Sequence, residues 1–145
     1  MSELFEKISG SFPEMQLMKE EPMEKHTTFR IGGPAEVYAC PNQEQLPALL
    51  EAAKKENAEV TIIGNGSNLL VGDKGIRGLV IEIGSGMNDI RVDDTKIVAG
   101  AGALLSKVAN AAAAAGLGGM EFAAGIPGSI GGAVTMNAGD RKSVV

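Results

Sequence analysis

The chain has 145 residues, 44% of them hydrophobic and only 3% aromatic, with 20 glycines and no tryptophan, so a single domain must build its core from Val, Ile, Leu and Ala. Its 13 basic and 18 acidic side chains give a formal net charge of −5, the wrong sign for neutralising phosphates along a nucleic acid, which is excluded as a partner. No apolar run reaches the roughly 20 residues of a membrane span, the acidic start lacks a secretory leader, and the lone Cys40 agrees with a reducing cytoplasm.

Residues 3–8 predict a short amphipathic helix through Leu4, Phe5 and Ile8, and residues 11–26 read as an acidic, Pro-containing connector with no chemistry of its own. Residues 35–40 predict a strand ended by Pro41. A helix is expected next: Asn42 and Gln45 have the spacing of a cap, and Leu46, Leu49, Leu50 and Ala53 fall on one face. Pro47 inside that helix would lose one backbone hydrogen bond. The β-branched run 60–63, ending in Gly64, predicts a buried strand, so this part reads β-α-β. Seventeen of the twenty glycines lie from Gly64 onward, a shift in composition that suggests a subdomain boundary near residue 63.

Between residues 72 and 86 glycine recurs too often for a helix, and only 79–83 is strand-like. Residues 89–92 and 96–99 predict a hairpin across Asp93, Asp94 and Thr95, which makes the Asp93-Asp94 pair a turn rather than a catalytic acid and base. Residues 103–115 predict a helix with Leu104, Leu105, Val108, Ala111, Ala112 and Ala115 on one face and Gly116 at C′. An alanine face of that kind implies close packing against a neighbouring backbone.

Two glycine segments carry the candidate chemistry. Ile62-Ile63-Gly64-Asn65-Gly66-Ser67-Asn68 sets a glycine turn directly after a strand, where successive backbone N–H groups can converge on a phosphate and Ser67 and Asn68 can add donors. The same residues also suit a plain turn. Leu69 stands where the dinucleotide fingerprint needs its third glycine, and no P-loop sequence occurs. The second segment, residues 116–139, is apolar, yet seven of its residues from 118 to 132 are glycine or proline, too many for regular structure. Such a stretch suits either bare backbone laid against a large flat ligand or tight interdomain packing. Gly100-Ala-Gly102 reads as structural. One His and one Cys cannot make a zinc site, so no metal is expected. His26, with no partnering acid in sequence reach, reads as a surface residue or one satisfied by backbone.

Three motifs, His26-Thr-Thr-Phe-Arg-Ile-Gly-Gly-Pro-Ala35, Ile63-Gly-Asn-Gly-Ser-Asn-Leu-Leu70 and Gly125-Ile-Pro-Gly-Ser-Ile-Gly-Gly-Ala133, stand in an order and spacing that resembles the N-terminal, FAD-binding half of the UDP-N-acetylenolpyruvoylglucosamine reductase (UDP-N-acetylmuramate dehydrogenase) family. The resemblance covers residues 20–139. It implies an α+β fold, similar to vanillyl-alcohol oxidase, with FAD between two α+β subdomains, the second cut short. The implied division is 1–23 as helix and connector, 24–83 as the β-α-β subdomain, 84–139 as the start of the second, and 140–145 as an unmatched tail.

The implied activity is that of a cytoplasmic flavoprotein oxidoreductase of peptidoglycan precursor synthesis, and so of cell wall biogenesis and cell shape. A hydride passes from NADPH to FAD and then to the enolpyruvyl group of a UDP-sugar. Carried over by position, Gly64, Asn65, Gly66, Ser67 and Asn68, flanked by Ile63 and Leu69, would hold the FAD pyrophosphate. Gly125, Ile126, Pro127, Gly128, Ser129, Gly131, Gly132 and Ala133, with Asn137 and Gly139, would line the flavin.

After Gly139 the family continues Ala-Tyr-Gly-Gly-Glu, whereas Asp140-Arg-Lys-Ser-Val-Val145 follows here. The family's proton-donating Ser, its assisting Glu and its substrate-pocket Arg lie beyond this point. No catalytic residue is therefore expected among the 145, and Arg141 and Ser143 are given no such role. The chain alone is expected to be inactive and to self-associate through an exposed sheet edge. The alternative class is a non-catalytic nucleotide-binding or structural fragment, distinguished by whether the purified protein holds yellow flavin. Another oxidase of the same flavin superfamily is disfavoured, because no His or Cys stands near Gly64 or Gly125 to attach flavin covalently.

Overall fold

The computed structural model describes residues 3–138. Among these, β1 (Gln16–Pro22), β2 (Pro34–Cys40), β3 (Val60–Ile63) and β4 (Ile76–Glu82) form one sheet in the order β1-β2-β4-β3. β1 runs antiparallel to β2, while β2, β4 and β3 are parallel. β4 lies inside the sheet, and its continuous run Leu79, Val80 and Ile81 is fully buried, as a strand covered on both faces requires.

The two faces of the sheet bury different partners. Val37, Ala39, Leu79 and Ile81 pack with Ile8 of α1 (Glu3–Ser11), Met15, and Leu49 and Ala53 of α2 (Leu46–Lys55). Ala35, Tyr38, Val80 and Ile63 pack instead with Met23 and Val71. The predicted Asn42–Gln45 pairing closes the turn that leads into α2, while Gln45, at the N-cap position itself, makes no side-chain cap bond to the helix. The Gln45 N–H donates to Asn42 Oδ1 at 2.8 Å, and the Asn42 N–H donates back to Gln45 Oε1 at 2.9 Å. Pro47 sits in the first helical turn, where its missing N–H would have no intrahelical acceptor, so the expected loss of a hydrogen bond does not arise.

The remainder begins with the hairpin of β5 (Ile90–Asp93) and β6 (Lys96–Ala99), turning at Asp94 with φ 55°. Then α3 (Leu105–Ala114) ends in a Schellman closure: Gly116, at φ 71°, donates to Ala113 O, and Leu117 to Ala112 O. A last short helix, α4 (Ile130–Thr135), closes the described chain.

Several expectations are corrected. Residues 11–26 are not a connector: most of them form β1 and the 3-10 turn Met23–Lys25. The strand 60–63 is buried only at Ile63, because β3 is an edge strand, and Ile62 is 57% exposed. β4 begins three residues earlier than 79, since Gly78 takes φ +83° and absorbs the register shift against Ala35 and Val37. The shift in composition near residue 63 falls inside the four-stranded sheet, which β3 and β4 share. On α3 it is Ala109 rather than Ala115 that is buried. Finally, the glycine segment does contain regular structure: the Ser129 Oγ accepts from the Gly132 N–H at 3.3 Å and starts α4 despite its two glycines.

Candidate functional site

The edge strand β3 delivers the chain into the turn Gly64–Asn65–Gly66. Gly66 has φ +72°, and a Cβ there would overlap the carbonyl oxygen of His26, so the position needs glycine for both conformation and close approach. The Thr28 N–H donates to Gly66 O at 3.1 Å, tying residues 26–28 along the back of the turn. The Ser67 N–H donates to Asn65 Oδ1 at 3.3 Å, a local side-chain turn of the kind Asn favours.

Sixty residues later the second glycine segment meets this turn directly. The Ser67 Oγ–H donates to the Pro127 carbonyl at 3.1 Å, and a Cβ on Gly64 would approach the Ser129 Oγ to 2.6 Å. The second segment is itself held by residues 101–105: Leu105 donates to Gly128 O at 2.9 Å, and Ile130 and Gly131 donate to Ala103 O and Ala101 O at 2.8 Å each. Gly131 allows that approach, since a Cβ there would already lie 3.1 Å from Ala101 O.

Between the two segments lies a cleft of about 640 Å³, within the range of small-molecule and cofactor sites. Ile63, Gly64, Asn65, Gly66, Ser67, Asn68 and Leu69 line one part, and Ile126, Pro127, Gly128, Ser129, Gly131, Gly132 and Ala133 another. Of the other residues expected at the site, Gly125 ends the 3-10 turn Glu121–Gly125 outside the lining. Asn137 follows α4 and is also outside it, while its neighbours Met136 and Ala138 are inside; Gly139 lies outside the described residues. Sequence reasoning missed Leu46, Ile62, Ile83, Met87, Ala101, Leu105 and Thr135, together with Met136 and Ala138 beside the expected Asn137. These come from five separate parts of the chain, and only the exposed Ile62 on an edge strand carries a signal, visible once strand order is known.

No charged side chain lines the cleft among the described residues. An anionic ligand must therefore be met by backbone N–H groups and by the Asn65, Asn68 and Ser129 side chains, since the Ser67 and Thr135 hydroxyls donate to Pro127 O and Gly131 O. None of these is a proton donor or acceptor tuned near neutral pH, so the lining binds and orients rather than performing acid–base chemistry. Among the described residues no group of three metal-ligating side chains occurs.

The titratable cluster sits on the sheet, away from that lining. His26 has an acid partner after all, because β1 brings Glu21 to it: its Nε2 and the Glu21 Oε1 are 2.9 Å apart. Tyr38 is fully buried with no hydrogen-bond partner for its hydroxyl, and burial, then the nearby Glu82 charge, pushes its ionisation far above the ordinary range. The Cys40 Sγ–H donates to Glu82 Oε2 at 3.0 Å, and burial with that bond pushes the thiol up to about 12. The thiolate being the nucleophile, Cys40 is expected to react with a disulfide reagent at pH 8 on the order of 10² to 10³ times more slowly in the folded chain than in denaturant. Equal rates would contradict the burial and the bond.

Residues 34–145 match the family model described as FAD binding domain. The chain is 54% identical to UDP-N-acetylenolpyruvoylglucosamine reductase of Agathobacter rectalis, over 96% of this chain and 48% of that one. It is 55% identical to the reductase of that name from Desulforamulus reducens, over 86% and 42%. The crystal structure of UDP-N-acetylenolpyruvylglucosamine reductase from Thermus caldophilus superposes with a TM-score of 0.68 at 37% identity, covering 89% of this chain and 44% of that one. The chain thus spans about half the length of the relatives it matches. With its α+β architecture and its glycine-lined cleft, the chain belongs to the FAD binding domain family, and FAD is its cofactor.

Proposed function

We propose that the cleft holds FAD and that the chain is the cofactor-holding part of an NADPH-dependent oxidoreductase that reduces an enolpyruvyl UDP-sugar, in the manner the names of its relatives suggest. The observation that carries this is the Ser67–Pro127 hydrogen bond, which joins two glycine segments 60 residues apart across one uncharged cleft. The residues present fit the group. Gly64 through Asn68 offer backbone N–H groups and short polar side chains to a pyrophosphate, and Ile126, Pro127, Gly128 and Ala133 offer flat, apolar backbone to a ring system. Resemblance to the family adds Gly125, Asn137 and Gly139 to the flavin end.

Bound FAD would supply hydride acceptance and delivery. The chain's own residues orient it. The Ser67–Pro127 bond fixes the distance between the two walls, and Ile62, Leu46 and Leu105 add apolar surface to the lining. NADPH and the UDP-sugar are the proposed partners, peptidoglycan precursor synthesis the proposed role, and the cytoplasm the proposed place. The proposed division into two subdomains after residue 83, with β1 joined to the sheet of the first rather than left out of it, puts the cleft at their junction.

Titration of the purified chain with FAD, followed by flavin fluorescence, tests the reading. Saturable one-to-one binding is expected, with Ser67→Ala weakening it about 5- to 10-fold through loss of one hydrogen bond between the walls. Absence of binding, or an unchanged dissociation constant in Ser67→Ala, would count against the cleft.

A further inference from the structure

The cofactor turn has no rigid element behind it, since β3 is an edge strand and no helix follows Gly66. What backs the turn is the bent segment 26–28. The His26 carbonyl occupies the space of the missing Gly66 Cβ, the Thr28 N–H donates to Gly66 O at 3.1 Å, and the Thr28 Oγ1–H reaches the Ser67 carbonyl at 3.5 Å. That segment is held in turn by the His26 ring. The ring stacks on Tyr38 with centroids 4.3 Å apart and planes 24° apart, and its Nε2 bonds the Glu21 carboxylate at 2.9 Å. Tyr38 is a fully buried residue of β2, and Glu21 belongs to β1. A short series of contacts therefore runs from the sheet through the ring and the segment to the turn, and from Ser67 on to Pro127 across the cleft.

We propose that His26 is a positioning residue for FAD: clamped between Glu21 and Tyr38, it fixes the backbone of residues 26–28 against Gly66 and so sets the shape of the pyrophosphate turn. This rests on the reading of the cleft as the FAD site. The ring lines no part of the cleft, so its effect is carried by backbone. Ring and carboxylate contribute differently. The stack fixes the plane of the ring, and the bond to Glu21 fixes its rotation.

His26 is the chain's only histidine, so its ring protons give one set of NMR signals in a clear region. Saturating the wild-type protein with FAD is expected to move those signals, although the ring lies outside the cleft. His26→Ala and Glu21→Ala are each expected to weaken FAD binding about tenfold, while Glu21→Gln, which keeps an acceptor oxygen, returns to within about twofold of wild type. His26→Phe retains the stack and should fall between. If His26→Ala does not fold, the Glu21 pair and the wild-type spectrum decide. Ring signals unmoved by saturating FAD, or Glu21→Ala binding as tightly as wild type, would overturn the proposal. Should Ser67→Ala weaken binding while Glu21→Ala does not, the positioning role alone fails; should neither matter, the cleft reading fails with it.

Discussion

Gly66→Val is expected to abolish measurable FAD binding and to lower folding stability by about 3 kcal/mol or more. Two costs add. A β-branched residue at φ +72° is strained by roughly 1–2 kcal/mol, and its Cβ would overlap the His26 carbonyl, which must move together with Thr28 and its bond to Gly66. The direction of the missing Cβ matters: it faces segment 26–28, so FAD is lost because the turn is displaced and not because a methyl enters the cleft. Gly72→Val is the contrasting variant, since a Cβ at Gly72 meets no atom within 4 Å, the position has no positive φ and it lies outside the cleft lining. It should keep its stability within about 0.5–1 kcal/mol and bind FAD. Ala35→Val is no neutral control, because Ala35 is fully buried and overpacking there costs about 1–3 kcal/mol. Thermal denaturation with and without FAD checks the pair; a wild-type transition in Gly66→Val would contradict the packing of 26–28 against the turn.

Raising the pH above about 9 is expected to destabilise the fold steeply. Cys40 and Tyr38 are acids whose ionisation is pushed upward in the folded chain, from ordinary values of 9.0 and 10.0. In the window above those values the unfolded chain has released protons that the folded chain keeps. The folded state then binds more protons, and stability falls with pH by up to about 1.4 kcal/mol per unit for each group. Their stabilising effect is complete below about pH 8. Cys40 is only partly buried, so its share is the smaller. Tyr38→Phe separates the contributions: with no partner for its hydroxyl, the loss at pH 7 should stay within about 1 kcal/mol, while the fall above about pH 10 becomes shallower and the part between about pH 9 and 10, carried by Cys40, remains. An equally steep alkaline fall in Tyr38→Phe would show that other groups carry it.

Local signals were read well and long-range ones poorly. The Asn42–Gln45 pairing, the β5–β6 hairpin and the Gly116 closure of α3 are each specified within a few residues. β1 escaped because its charged stretch Lys19, Glu20 and Glu21 carries no apolar alternation; it is a strand only through its pairing with β2. The same strand brings Glu21 to His26, which is why no acid was expected there. The exposure of β3 depends on strand order, which a β-α-β pattern does not reveal. α4 was hidden by Gly131 and Gly132, residues that weaken a helix in isolation but are tolerated here because Ser129 caps it and Gly131 must approach Ala101. The two glycine segments were each legible as ligand-binding backbone. Their meeting across one cleft, through Ser67 and Pro127, depends on tertiary packing.

The most direct test is the crystal structure of the chain loaded with FAD. The pyrophosphate is expected within about 3 Å of backbone nitrogens between residues 64 and 68, and the isoalloxazine ring against residues 126–133. FAD seated elsewhere on the chain, with the cleft between Ser67 and Pro127 left to solvent, would contradict it.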